Sequence, residues 1–255
     1  MKLPAVVAAL RAAGCVFAED EAELLTAAAR TPAELAALVR RRSHGEPLEI
    51  LVGWAEFCGL RIALEPGVFV PRRRTEFLAR QAAAHARPGS VVVDLCCGSG
   101  AVGAAIAAAA GPISLTAADV DPVAVRCARR NVPAGAQVHE GDLYEALPTP
   151  LRRSVDVLVA NVPYVPTAAV ALLPPEARLH EPRGALDGGT DGLDVLRRVT
   201  AGAPPWLTPG GHLLIETSVR QAPAAVEAFA AAGLAPRVVT SDGTAVVLGR
   251  CGRPG

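Results

Sequence analysis

From Ser90 onward, short apolar runs alternate with stretches of helical periodicity, and no other feature constrains the fold as strongly. Strands are expected over 91–95, 113–118, 136–139, 155–160, 211–217, 234–240 and 245–250. Helices are expected from about 100 and over 121–131, 191–202 and 220–232. A chain that alternates in this way builds an α/β fold, a mainly parallel sheet covered by helices. The last two strands flank Asp242-Gly243, a hairpin signal, so one strand must run antiparallel at or near an edge.

The first fifty residues read differently. Pro4 suits a first helical turn, and Leu24, Leu25 and Ala28 mark a second apolar face. Thr31-Pro32-Ala33-Glu34 has a capping-box pattern with proline at the first helical position. Leu35, Leu38 and Val39 then supply a buried stripe that runs into Arg40-Arg41-Arg42, read as a solvated helix end where cations are favoured. "AEFCGLRIALEPGVFVP" has strand-like runs around Pro66-Gly67 and predicts a hairpin. The expected organisation is a helical domain over 1–52, a linking β-hairpin over 53–70 and a main domain over 71–255.

Lysine and arginine balance aspartate and glutamate at 25 each. That neutrality argues against a protein held to nucleic acid by phosphate contacts. The six cysteines show no C-x-x-C spacing, which points to reduced thiols rather than a zinc site or a disulfide framework. No uninterrupted apolar stretch is long enough to span a bilayer, and the amino terminus lacks a signal-peptide pattern, so a cytoplasmic protein is expected. The five histidines show no ligand spacing and are read as surface or loop residues.

Chemistry concentrates after the first strand of the alternating region. "VVVDLCCGSGAVGAA" places Asp94 at a strand end, followed by Gly98-Ser99-Gly100 and Gly103 entering a helix. Glycines there permit close backbone approach of a ligand at the carboxyl edge of the sheet, and the spacing alone would fit a dinucleotide. Asp94, however, would repel a pyrophosphate and favour a cationic, sulfonium-bearing cofactor with a free amino group. Asp119, ending the next strand in "LTAADVDP", suits a bidentate hydrogen bond to two ribose hydroxyls. Asp121 before Pro122 is the better helix cap.

Asp-x-x-x-Gly-x-Gly, a strand-end Asp, "EGDLYEAL" and Asn161-Val162-Pro163-Tyr164, in that order, resemble a class I S-adenosylmethionine-dependent methyltransferase. More narrowly, the chain resembles the HemK-like (PrmC-like) protein-(glutamine-N5) methyltransferases that modify peptide-chain release factors. "AEFCGLRIALEPGVFVPRRRTE", "EPRGALDGGTDGLDVLRR" and "GGHLLIETS" extend the likeness over nearly the whole chain. The resemblance implies a Rossmann-like sheet with S-adenosyl-L-methionine as cofactor. It places Cys96, Cys97, Gly98, Ser99 and Gly100 around the methionine and ribose, Asp119 on the ribose, and Asp142 and Leu143 beside the adenine. Asn161 to Tyr164 would hold the substrate group, with Glu181 and Arg183 closing over it. The implied partner is a protein substrate, a release factor; a monomer is expected, without stable nucleic-acid binding.

The Asn-Val-Pro-Tyr turn fits methyl transfer to a planar NH2. Such a nitrogen is a poor nucleophile because its lone pair is delocalised, yet its N–H bonds are good donors. The Asn161 side-chain oxygen and the Val162 carbonyl accept one hydrogen each, which aims the lone pair at the methyl and favours charge growing on nitrogen. Pro163 stiffens the turn and Tyr164 offers a ring to the planar group. In-line displacement from a sulfonium requires neither a nucleophilic side chain nor a metal.

Val162 stands where the family has proline, Cys96 and Cys97 stand where it usually has Gly-Thr or similar, and Arg73 and Arg74 replace a proline and a glutamate. A side chain at Cys96 is expected to require negative φ. Four readings remain open: a glutamine methyltransferase, an N-methyltransferase for nucleic acid or a small molecule, a dinucleotide oxidoreductase, and a non-catalytic scaffold.

Overall fold

The structure, a computed structural model, describes residues 1–252. Four helices open the chain: α1 (Leu3–Ala12), α2 (Ala18–Ala28), α3 (Pro32–Ser43) and α4 (Leu48–Val52). They enclose their own core of Val6, Leu10, Leu25, Leu35, Leu38 and Val39. Thr31 caps α3 as expected, its hydroxyl accepting the Glu34 N–H at 3.1 Å, but the Glu34 carboxylate reaches back to the N–H of Arg30. The arginine run is only partly solvated. Helical rotation carries Arg42 inward, where it pairs with Glu21 at 2.6 and 3.0 Å.

The hairpin forms from β1 (Trp54–Phe57) and β2 (Leu60–Ala63). Its turn is not Pro66-Gly67 but Cys58-Gly59, with φ of 51° and 74°. Two consecutive residues at positive φ match the right-handed twist of the flanking strands, which the type I geometry favoured by proline does not. Pro66-Gly67 instead turns the chain after β2.

The main sheet follows in the expected order: α5 (Glu76–Ala83), β3 (Val91–Leu95), α6 (Ala101–Ala110), β4 (Ser114–Asp119), α7 (Pro122–Asn131), β5 (Gln137–Glu140) and β6 (Val155–Ala160). Two short helices, α8 (Thr167–Val170) and α9 (Pro175–His180), lead to α10 (Asp194–Gly202), β7 (Leu207–Ser218), α11 (Ala222–Ala231), β8 (Leu234–Ser241) and β9 (Thr244–Cys251). The seven strands lie in the order β5-β4-β3-β6-β7-β9-β8. All pairings through β7 are parallel; β9 runs antiparallel between β7 and β8. One apolar layer, including Val92, Val159, Leu214 and Ile106, covers the face toward α5 and α6. The other, including Leu95, Leu158, Ile215 and Phe229, covers the face toward α10 and α11. Among the described residues, no helix is long and apolar enough to cross a membrane.

Two histidines lie in strands and not in loops. His139 is in the edge strand β5, and His212 is half-buried in β7 with its ring 4.1 Å from that of His85.

Gly249 of β9 makes room for α11. A Cβ there would stand 2.4 Å from Cδ1 of the fully buried Phe229. Gly249→Ala should therefore lower unfolding free energy by about 1–3 kcal/mol, read as a drop in the denaturant midpoint at constant m-value.

Candidate active site

Parallel strands end together. Leu95, Asp119, Ala160 and Glu216 bring their carboxyl ends to one edge of the sheet, and a cleft of about 620 Å³ opens there. Its walls bring together Asp94, Cys96, Cys97, Gly98, Ser99, Asp119, Asp142, Leu143 and the whole turn from Asn161 to Tyr164. Gly100, Glu181 and Arg183 do not line it. Gly100 caps α6 at φ 77°, packed so closely on Ala128 that a Cβ would come within 3.1 Å. Glu181 is buried in a pair with Arg72 and accepts the Val70 N–H. Arg183 is exposed and paired with Asp187.

Two carboxylates shape the glycine loop. Asp94 Oδ2 accepts the Gly103 N–H at 2.8 Å from the first turn of α6. Asp119 accepts Gly98 N–H at 2.8 Å on one oxygen and Asp121 N–H at 2.9 Å on the other. Asp121 caps α7 by accepting the Val123 N–H, which frees Asp119 from that duty. Asn131, at the far end of α7, donates to the carbonyls of Ser99 and Ala63 and accepts the Ala63 N–H. One side chain thus ties the glycine loop to the hairpin.

Burial pushes Asp94 up to about 7, the Gly103 hydrogen bond opposing and Asp119 adding to the rise. Asp119 is raised as well, first by burial. A site that holds two buried acids, compensated by backbone N–H groups and by no cation, is electrostatically prepared for a cation. The thiols of Cys96 and Cys97 are raised by burial and by the same two aspartates, so neither is a ready thiolate and a redox role has no support.

Cys96 adopts φ 54°, not the negative φ expected for a side chain there. The loop's path off β3 demands a left-handed residue, and cysteine meets it at a cost of order 1–3 kcal/mol. Leu143, at φ 49°, is a second such residue on the cleft wall.

Across the cleft, β6 ends and the turn begins. Among the described residues, no protein group hydrogen-bonds the Asn161 carboxamide, although it sits at the cleft wall. Val162 turns its side chain into the apolar layer on the α10 and α11 side. The segment after α9 splints the turn: Val165 N–H donates to Leu186 O at 3.0 Å, and Gly188 N–H to Val165 O at 2.8 Å. A Cβ on Gly188 would lie 2.6 Å from the Pro163 carbonyl. Gln221, buried at the start of α11, donates to the Tyr164 carbonyl at 3.0 Å and to that of Asp191. The Tyr164 hydroxyl lies 3.5 Å from Glu216, and the Arg74 guanidinium lies 5.9 Å from its ring.

Sequence reasoning missed Thr75 and Arg198 as parts of this wall and Gln221 as a support of the turn behind it. Arg198 lines the cleft and pairs with Asp142 at 2.6 Å, a contact spanning 56 positions that no local pattern announces.

The raised Asp94 has a stability consequence. The folded state keeps a proton that an unfolded carboxyl releases near 3.8, so its contribution is full below that value and lost as pH rises through about 7. The ligand-free protein should lose stability across that window, and Asp94→Asn should flatten part of the loss in denaturation midpoints taken from pH 4 to 8.

The described architecture agrees with proteins of known kind. Residues 59–189 match the family model described as a methyltransferase small domain. A release factor glutamine methyltransferase of Geobacter sulfurreducens is 39% identical over 217 residues, covering 83% of this chain and 75% of that protein. A 4-amino-L-phenylalanine/4-methylamino-L-phenylalanine methyltransferase of Streptomyces pristinaespiralis is 38% identical, covering 76% of this chain and 69% of its own. A crystal structure of a methyltransferase from Pyrococcus furiosus shares the fold at a TM-score of 0.58 and 17% identity, over 76% of this chain and 90% of that one. The chain belongs to the release factor glutamine methyltransferase family, within the methyltransferase small-domain group.

Proposed function

We propose that this methyltransferase transfers the methyl group of S-adenosylmethionine to the side-chain amide nitrogen of a glutamine in a protein, and that the protein is a peptide-chain release factor. The observation that carries the reading is Asn161: an unpartnered carboxamide in the same cleft as a carboxylate-braced glycine loop.

The residues present fit the cofactor. Asp94, buried and raised, suits the cationic methionine end. Asp119 lines the cleft, and each of its oxygens, accepting one backbone N–H, has capacity left for a ribose hydroxyl; Asp142 and Leu143 line the same cleft. When bound, the cofactor supplies a methyl group activated on a positive sulfur. Asn161 Oδ1 and the Val162 carbonyl would each accept one amide hydrogen, holding the nitrogen's lone pair along the line of attack. The apolar packing of Val162 restrains that carbonyl, and the Gln221 bond to the Tyr164 carbonyl fixes the turn two residues on. As the N–C bond forms, the methyl's bond to sulfur would break with its electron pair staying on sulfur as a neutral thioether, and the methylated amide would release one proton to water and stay neutral.

The chain divides, on this proposal, into a helical domain over 1–52, a hairpin linker over 53–70 and the catalytic domain over 71–255. The separate core of the first four helices supports that division. Arg42, 3.8 Å from Glu176 of α9, brings the helical part against the cleft wall, where it is placed to meet a protein substrate. The family relation supports the glutamine target over the dinucleotide oxidoreductase and the scaffold. A second reading is favoured by the relative that, by its name, acts on 4-amino-L-phenylalanine: the same two acceptors suit any planar NH2.

Incubation with labelled S-adenosylmethionine and a release factor, followed by peptide mapping, should place one methyl on the glutamine of its Gly-Gly-Gln motif. Label on free 4-aminophenylalanine but not on the release factor would favour the second reading. Asn161→Ala should lower kcat by roughly 10²-fold, the scale of losing one transition-state hydrogen bond, while cofactor affinity in calorimetry stays within a few-fold. A scaffold would lose nothing.

A further inference from the structure

Glu216 stands at the carboxyl end of β7, one step past Ile215, which is in register with Ala160; Asn161 takes the same step on β6. The two side chains are therefore neighbours on one face of the sheet, and both line the cleft. Glu216 is nonetheless 1% exposed. Its Oε1 has two loose partners, the Tyr164 hydroxyl at 3.5 Å and Arg74 Nε at 3.7 Å. Its Oε2 is buried with no hydrogen-bond partner among the described residues. The Thr75 hydroxyl, also buried and unpartnered, lies close enough to favour the ionised form without reaching hydrogen-bond geometry.

A buried carboxylate oxygen without a donor is costly, and burial raises the Glu216 pKa accordingly. An acceptor left vacant on a ligand-facing wall is most simply completed by a donor that the ligand brings. Position says which ligand. Two strand spacings separate β7 from β3, so Glu216 lies roughly 10 Å from the base of the glycine loop, on the far side of Asn161. The cofactor's own ammonium belongs beside Asp94, at the other end.

We infer that Glu216 is a substrate-binding residue, its Oε2 accepting a backbone N–H of the peptide that carries the reacting amide. The Thr75 hydroxyl stands beside the carboxylate and favours its charged form. The inference rests on the glutamine reading and adds to it a preference for a peptide over a free amine. Tyr164 and Arg74 keep the carboxylate turned toward the cleft.

The test is calorimetric binding of a Gly-Gly-Gln peptide to the protein loaded with S-adenosylhomocysteine, for wild type and Glu216→Gln. The variant should bind the peptide roughly tenfold or more weakly, the scale of a hydrogen bond to a charged group. Its affinity for S-adenosylhomocysteine should stay within twofold, and its thermal midpoint should hold or rise, because an uncompensated charge has been removed. Peptides with ester oxygens replacing successive backbone N–H groups should include one that weakens wild type tenfold and leaves the variant unaffected. Equal peptide affinity in both proteins would overturn the inference and leave the glutamine reading standing. A parallel loss of cofactor affinity or of thermal stability would make Glu216 structural and overturn it too. Binding of 4-aminophenylalanine but no peptide by the wild type would overturn both.

Discussion

Parallel strands pointing the same way deliver their ends to one edge, and the site depends on that constraint. β3, β4, β6 and β7 contribute respectively the glycine loop, Asp119, Asn161 and Glu216 to a single cleft. A one-residue slip in any of these pairings would turn the side chain to the opposite face. The register is enforced by the apolar layers above and below, where Val92, Val159 and Leu214 face one way and Leu95, Leu158 and Ile215 the other. Packing and chemistry are thus bound to the same alternation.

Electrostatics divides the cleft into two regions. Asp94 and Asp119 burden the glycine-loop end with buried acid, relieved only by backbone N–H groups. Beyond Asn161, Glu216 repeats the pattern with weaker compensation from Arg74. Neither region is optimised for the stability of the polypeptide alone. Buried charge kept without full pairing, together with left-handed backbone at Cys96 and Leu143, is the signature of a site whose partners arrive from outside.

The strand and helix succession from Ser90 was legible because each element obeys a local rule: apolar runs for strands, Asp121 before Pro122 as a cap, Asp242-Gly243 as a hairpin turn. The hairpin at Cys58-Gly59 was not, since cysteine is a rare occupant of a left-handed turn position and Pro66-Gly67 offered the stronger local signal. Asp94, Asp119 and the Asn161 turn were visible as strand-end residues with spacing that a family resemblance completed. Gln221, Thr75 and the Arg198–Asp142 pair were invisible because each acts over a long sequence separation. Arg42 was misread for the same reason, its partner Glu21 lying on another helix.

By itself the sequence determined the order of elements, the parallel sheet with its antiparallel hairpin, and the glycine loop bounded by two aspartates, because periodicity, capping and turn chemistry act between near neighbours. Only the tertiary structure decided which groups are left unsatisfied. The freedom of the Asn161 carboxamide, the vacant oxygen of Glu216 and the raised state of Asp94 each depend on what packs around them. Burial and hydrogen-bond satisfaction are properties of the assembled interior, and no single segment of chain carries them.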